Sequence, residues 1–493
     1  MEYDTLICGA RLLDGTGSPA VLADVAIRDQ RIVRISVGLD AELDAHLGTD
    51  TTSIIHAQGL YLAPGFIDVH THDDINVIQS PAMLAKISQG VTTVIVGNCG
   101  ISASPVTLKD NPPDPLNLLG KREDFVYSTF AAYAQAVIKA NPAVNVGALI
   151  GHTALRSNVM DMLQRQASAE EIASMKIRLR EALGQGALGM SSGLAYASAL
   201  CATTEEVLAL VEELADFNGV YTTHLRTEFD HILDAMDEAF ATAGQASGQT
   251  GVKAKVPLII SHLKCAGAGN WGRSSEILQH IEQAARQQQV ACDCYPYAAS
   301  SSTLDLKQVT DENDIFITWS DPCPEQAGRL LKDIAQDWQL PLMDAAKKLQ
   351  PGGAVYYCMD EQDVQNILRY PRSMIGSDGL PNDPHPHPRL WGTFPRVIGH
   401  YCRDLGIFEL PQAIHKMTGL SAQEFGLHQR GVIGEGNFAD LVLFDYDKIR
   451  DMATYENPKQ MAVGVEKVWV NGHLSYVANK QVTERAGKFL FRR

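Results

Sequence analysis

APGFIDVHTHDD, residues 63–74, places two histidines two positions apart, His70 and His72, at the end of an apolar run that reads as a short β-strand. Alternate residues of a strand face the same side, so the two imidazoles are expected to aim at one point. Four more residues of metal-binding type follow, each closing a β-forming run of its own. They are Cys99 after VTTVIVG, His224 after GVYTT, His262 after VPLIIS, and Asp378 in SMIGSD. Imidazole, thiolate and carboxylate together form the ligand set of a catalytic zinc site. One histidine alone is commonly a satisfied core or surface residue; six such groups at strand ends are hard to explain that way.

Outward from this segment the strands alternate with helical patterns. VTTVIVG (91–97) is followed by a helix in 125–141, and VNVGALIGH (144–152) by one near 169–184. ALGMSS (187–192) precedes a helix at 204–217, for which Thr204 is the expected N-cap. GVYTTH (219–224), a helix near 229–245, VPLIISH (256–262), a helix from Ser274, VACDCYPY (290–297) and SMIGSD (373–378) complete the series. Such alternation implies parallel strands with helical crossovers. About eight strands over roughly 360 residues predict an α/β fold, a closed (β/α)8 TIM-like barrel. A doubly wound open sheet is the alternative, but a ring brings all six residues to one mouth, at the strand C-termini where barrel enzymes gather catalytic groups. CDC at Cys292–Cys294 reads as packing.

The flanks differ. Residues 1–62 and 421–493 are made of short β-rich runs broken by Gly and Asp, with an Asn-Gly turn at Asn471–Gly472. They are expected to pair into one small β-sandwich domain built from both chain ends, beside a barrel domain at 63–420. The turn-rich stretch at about 303–372 reads as an insertion near the barrel mouth, a candidate lid.

The net charge of −17 argues against nucleic acid and anionic membrane as partners, and leaves room for an anionic small-molecule substrate. MEYDTLICGARLLDGTG lacks the pattern of a signal peptide, and no apolar run approaches the about 18 residues of a membrane span. Nine cysteines without zinc-finger spacing fit reduced thiols in a cytoplasmic protein, as a monomer or small homo-oligomer. Asp378 is the acid–base candidate, able to accept a proton from an attacking water and return it to a leaving nitrogen.

PGFIDVHTH and the closing GVIGEGNFADLVLFD resemble the amidohydrolase superfamily. GNCG, THLRTE, SHLK, DCYPY and IGSDGLP followed by HPHPRLWGTFPRV are similar, over nearly the whole chain, to its N-acyl-D-amino-acid deacylases (D-aminoacylases). The resemblance implies a zinc-dependent barrel in which Cys99, His224 and His262 hold a tight zinc. His70, His72 and Asp378 then line a second, weaker metal position. It also implies that Lys264, Tyr295, Ser301 and Arg389 hold the substrate carboxylate; a guanidinium offers a bidentate fork for one. Leu263, where a second His often follows the ligand His, together with NWGRS (270–274) and DIFITWSDPCPE (314–325), looks closest to the branch that prefers N-acyl-D-glutamate. The competing expectations are a D-aminoacylase preferring hydrophobic side chains, a hydantoinase- or dihydroorotase-like cyclic-amide hydrolase, and a non-catalytic scaffold on the same fold. GNCG counts against the cyclic-amide reading, and retention of all six candidate ligands counts against the scaffold.

Overall fold

A computed structural model describes residues 3–37, 53–245, 255–478, 482 and 484–492. Eight parallel strands form the centre: β1 (Phe66–Asp68), β2 (Val91–Val96), β3 (Asn145–Ala148, resuming at Ile150–Gly151), β4 (Gly189–Gly193), β5 (Val220–His224), β6 (Leu258–Ile260), β7 (Val290–Cys294) and β8 (Ser373–Ile375). Each pairs with the next in parallel register, for example Thr93 with Asn145, Gly189 with Val220, and Cys292 with Ser373. The ring closes where Asp378 N donates to His70 O at 2.7 Å and His72 N donates to Gly379 O at 3.0 Å. The expected closed barrel is therefore what forms.

The strands are buried on both faces, as parallel strands require, and carry few charged residues. Inside the ring, Ile67, Ile95, Leu149, Leu188, Val220, Ile259, Ala291 and Met374 make one cluster, closed at its end by Leu420 and Phe425. The outer faces pack on amphipathic helices, some of which start at a side-chain cap. Ser168 and Glu171 form a capping box at the head of helix Ala169–Gly184. Helix Thr204–Ala215 is capped by Thr203, whose hydroxyl accepts from Glu206 N, and not by Thr204 as expected; the capping side chain must sit before the first helical residue.

Strands from both ends of the chain share one further sheet. Thr5–Leu12 lies between Val21–Arg28 and Tyr61–Pro64; Tyr61–Pro64 pairs with Leu441–Phe444, and Val465–Val470 and His473–Val477 follow in order toward the edge. Period-2 alternation divides its faces. Ile7, Val25, Ile27, Leu441, Leu443 and Trp469 share a core of their own, whereas Val442, Phe444, Val468 and Val470 join the barrel's core. Between β7 and β8 the chain adds an antiparallel sheet, Ser300–Thr303, Ile315–Ser320, Arg329–Leu330 and Gly352–Tyr356, with helices Leu331–Trp338 and Leu342–Leu349. Helix Glu361–Arg369 then packs back on the outer helix Ser274–Ala285. Among the described residues no helix is long and apolar enough to cross a membrane.

A buried polar knot joins the two-ended sheet to the barrel. Asp440 pairs with Arg430, accepts from Asn471 N at 2.7 Å, and accepts from Asn145 Nδ2 of β3 at 3.1 Å. Asn471 is the left-handed first residue of the expected Asn-Gly turn. Its amide also donates to Asn145 Oδ1 at 2.8 Å. Asp440→Ala strands the Arg430 guanidinium without its carboxylate. The expected loss is about 3–5 kcal/mol of unfolding free energy, read as a lower midpoint in urea at an unchanged slope. A midpoint equal to that of the parent refutes the role of the knot.

Candidate metal centre and substrate cavity

All six candidate ligands stand at or just past the C-terminal ends of strands, on one mouth. The route differs in detail from the expectation. β1 ends at Asp68, so His70 and His72 lie beyond the strand, and their rings stand 5.6 Å apart at 77°. Three of the six, Cys99 (φ 51°), His262 (φ 36°) and Asp378 (φ 47°), have left-handed backbone, uncommon for side chains with a Cβ. Each sits where the chain must turn sharply off its strand; strain of this kind clusters at functional sites.

The ligand atoms fall into two groups that share one sulfur. Atoms of His70, His72, Cys99 and Asp378 lie within 4.8 Å of one another, as do those of Cys99, His224 and His262. Cys99 Sγ is 3.2 Å from His70 Nε2 and 3.3 Å from His262 Nε2. Asp378 Oδ1 is 3.2 Å from His72 Nε2 and 3.5 Å from His70 Nε2.

Behind the imidazoles stand two carboxylates that the sequence reading missed. Asp293, the middle residue of CDC, faces His70 Nδ1 at 3.2 Å and accepts from His262 N at 2.9 Å. Glu228, four residues past His224, meets His262 Nδ1 at 3.0 Å. Carboxylates on Nδ1 turn Nε2 inward and fix the tautomer that binds a metal. The signals were available: Asp293 shares a strand face with Ala291 inside the barrel, and Glu228 closes the THLRTE motif. Cys292 and Cys294 flank Asp293 as buried, unpaired thiols, as expected.

Charge decides what this pocket wants. Burial alone raises the Cys99 thiol, but the His70 and His262 imidazoles outweigh it and hold the thiol well below its ordinary value, favouring the thiolate. Burial lowers His72, yet Asp378 and Cys99 push it up to about 9. His262, lowered by burial and by Lys264, is also pushed up to about 9 by Cys99 and Glu228. A buried site that stabilises thiolate and carboxylate by drawing protons onto its histidines is one that accepts a cation. The mixed sulfur, nitrogen and oxygen donors fit zinc. His72 Nδ1 and His224 Nδ1 have no hydrogen-bond partner among the described residues.

The expected substrate residues converge beside these ligands. The mouth opens into a cavity of about 800 Å³ lined by Lys264, Tyr295, Ser301, His224, His262 and Asp378. Lys264 is not on a continuing strand, since β6 stops at Ile260, but its ammonium still reaches the site, 2.5 Å from Glu228 Oε1 and 2.8 Å from His262 Nδ1. Arg389 is 1% exposed. It donates from Nη2 to Ser301 O at 3.0 Å, lies 4.6 Å from the Tyr295 ring centre, and stands 2.9 Å from Asp378 Oδ2 as an ion pair. That last contact was not foreseen. Burial would raise the Asp378 carboxyl, but Arg389 and the neighbouring histidines hold it well below the usual carboxylate range. Arg389 Nε, Tyr295 Oη, Ser301 Oγ and His387 Nε2 are buried and donate no hydrogen bond within the described protein, whereas Arg389 Nη1 is the atom paired with Asp378. His387 Nδ1 accepts from Arg389 N, which leaves the proton on Nε2. Unsatisfied buried donors are rare and call for an acceptor, here an anion. Tyr196 also went unforeseen. It lines the cavity with its ring 4.8 Å from that of His224, and burial keeps its hydroxyl protonated.

NWGRS and DIFITWSDPCPE, on which the D-glutamate expectation rests, do not line this cavity. Trp271 is 42% exposed and donates from Nε1 to Cys358 O, and Ile315–Ser320 is a strand of the added sheet.

A family model described as "Amidohydrolase family" matches residues 53–476. Three proteins of Alcaligenes xylosoxydans xylosoxydans are similar nearly end to end. A D-aminoacylase is 45% identical over 99% of this chain and 98% of its own. An N-acyl-D-aspartate deacylase is 43% identical over 99% and 95%, and an N-acyl-D-glutamate deacylase 41% identical over 96% and 93%. Among solved structures, a D-aminoacylase with a binuclear metal centre superposes with a TM-score of 0.93 at 43% identity, covering all of both chains. The N-acyl-D-glutamate deacylase of Bordetella bronchiseptica, complexed with zinc and a phosphonate that mimics the tetrahedral intermediate, does so with a TM-score of 0.93 at 40% identity, again over both chains in full. The chain therefore belongs to the amidohydrolase family, in its group of D-aminoacylases and N-acyl-D-amino-acid deacylases.

Proposed function

We propose that the protein hydrolyses N-acyl-D-amino acids to a carboxylate and a free D-amino acid, using zinc. The observation that carries this reading is the cluster of unsatisfied buried donors beside a thiolate-centred ligand set, in a chain 41–45% identical to three deacylases of such compounds. Cys99, His224 and His262 would hold a tight zinc; His70, His72 and Asp378 would line a weaker second position. When bound, zinc supplies Lewis acidity, which acidifies water and polarises an amide carbonyl.

The chain's own residues do the rest. Arg389, Tyr295, Ser301 and Lys264 hold the substrate α-carboxylate and so present the amide to Asp378. The Tyr196 hydroxyl, kept protonated, donates toward the carbonyl oxygen. Asp378 takes a proton from the attacking water as the C–O bond forms, and gives it to the amide nitrogen as the C–N bond breaks. The nine cysteines form no disulfide, which favours a reducing compartment, the cytoplasm.

The cavity wall bears on which side chain is taken. Leu118, Leu200, Phe229, Leu304 and Leu306 line it together with the acids Asp114 and Asp305. Of the three cations that line it, Lys264 is matched by Glu228 and Arg226 by Glu238, and the third, Lys307, is outnumbered by the two acids. This wall favours a neutral, apolar D-side chain over the second carboxylate of D-glutamate.

Five measurements check the reading. Cys99→Ala is expected to lose tight zinc and activity together. In the parent, zinc affinity should rise with pH to about 9, because His72 and His262 must shed protons before they can ligate. Full turnover by zinc-free Cys99→Ala, or pH-independent binding, contradicts the ligand assignment. Asp378→Asn should keep its fold and its tight zinc while kcat falls by about 10² or more; near-parent turnover reduces Asp378 to a turn residue. On a panel of N-acetyl-D- and L-amino acids, D-leucine and D-methionine derivatives should exceed D-glutamate, with little action on L-enantiomers. Arg389→Met should cost roughly 2–3 kcal/mol in kcat/KM. Better turnover of D-glutamate overturns the side-chain reading alone; turnover only of L-compounds or cyclic amides overturns the deacylase reading.

A further inference from the structure

The ring of strands closes at a thin seam. Between β1 and β8 the backbone of the described residues contributes the Asp378–His70 and His72–Gly379 hydrogen bonds and the single bridge Thr71–Gly379. β7 and β8, by contrast, are paired over three residues each. Yet three of the six candidate ligands, His70, His72 and Asp378, sit on the two edges of that seam. Something else must hold their register.

Lys86 lies directly behind it. Its helix, Leu84–Ile87, belongs to the first crossover, between β1 and β2, and its side chain is fully buried. The ammonium touches both edges. On the β1 side it is 2.8 Å from Asp68 Oδ2, 2.9 Å from Thr71 Oγ1 and 3.2 Å from Asp73 Oδ2. On the β8 side it is 2.8 Å from Ser377 Oγ. The protons can be accounted for in full. Lys86 gives one each to Asp68, Thr71 and Ser377. Thr71 passes its own to Asp73 Oδ2 at 2.7 Å, and Ser377 directs its own to His70 O at 3.4 Å. Asp68 Oδ1 completes the circuit by accepting from Ser377 N at 2.8 Å. The residues gripped, 68, 71, 73 and 377, interleave with the candidate ligands at 70, 72 and 378. None of the gripping atoms lines the cavity.

We propose that Lys86 is a positioning residue. Its ammonium sets the register of His70 and His72 against Asp378, and so the geometry of the second metal position and of the proton-transferring carboxylate, without touching substrate. Partners that orient metal ligands from behind are worth roughly 10–100-fold in affinity or activity. The activity part of this inference rests on the function proposed above; the metal-binding part does not.

The test is a zinc titration of metal-stripped full-length protein, with kcat and KM measured on an N-acetyl-D-amino acid, for Lys86→Met, Thr71→Val and Ser377→Ala. Each variant should keep one tight zinc per chain, while affinity for the second zinc and kcat each fall roughly 10–100-fold. KM should stay within about twofold of the parent, because the carboxylate-binding residues are untouched. Lys86→Met leaves Asp68 and Asp73 buried without a cation; if it fails to fold, the two milder variants decide. Folded variants that show only a lower thermal midpoint, with second-zinc affinity and kcat as in the parent, overturn the proposal. If the parent itself cleaves no N-acyl-D-amino acid, the functional reading fails and the zinc titration still judges Lys86.

Discussion

The sulfur of Cys99 is the point on which the mouth of the barrel is organised. It lies within 3.3 Å of imidazole nitrogens brought from β1 and β6, and it belongs to both groups of ligand atoms. A buried thiolate needs positive charge around it, and the imidazoles need an anion to justify theirs. Strands that are distant in sequence are therefore tied electrostatically at one atom. Asp293 and Glu228 extend the same alternation of sign outward, and Lys264 carries it one step further, to Glu228. The site is a chain of compensating charges running from the centre of the mouth into the cavity wall.

The same logic relates the substrate end to the chemical end. Arg389 touches Asp378 and also backs the donors that await an anion. Under the proposed function, a substrate carboxylate would meet a guanidinium already paired with Asp378. Hydroxyls of Tyr295 and Ser301 add donors without adding charge, which suits an acidic protein that must attract an anion at one place only.

Much of the barrel was legible in the chain because parallel strands buried on both faces appear as uninterrupted apolar runs such as VTTVIVG and VPLIIS. The convergence of the six candidate ligands was legible because they follow those runs. What escaped was non-local or lacked a period. Nothing in the spacing joins Asp378 to Arg389, or places Glu228 against His262, since the first contact forms only when the chain past β8 folds back at the head of helix Arg389–Arg396 and the second only when the ends of β5 and β6 lie side by side. β1, three residues long, is too short to carry its histidines, so they meet through the turn that follows and not through strand alternation. The motifs behind the D-glutamate expectation lie away from the cavity wall, so they speak through resemblance and not through contact.

The left-handed backbone at Cys99, His262 and Asp378 has a consequence of its own. Only glycine takes that conformation without penalty, and each side chain held there costs of order 1–3 kcal/mol. These candidate ligands are thus residues the bare polypeptide would sooner exchange for glycine. Drift toward greater stability and drift toward loss of function point the same way at these three positions. Only selection for activity keeps them as they are.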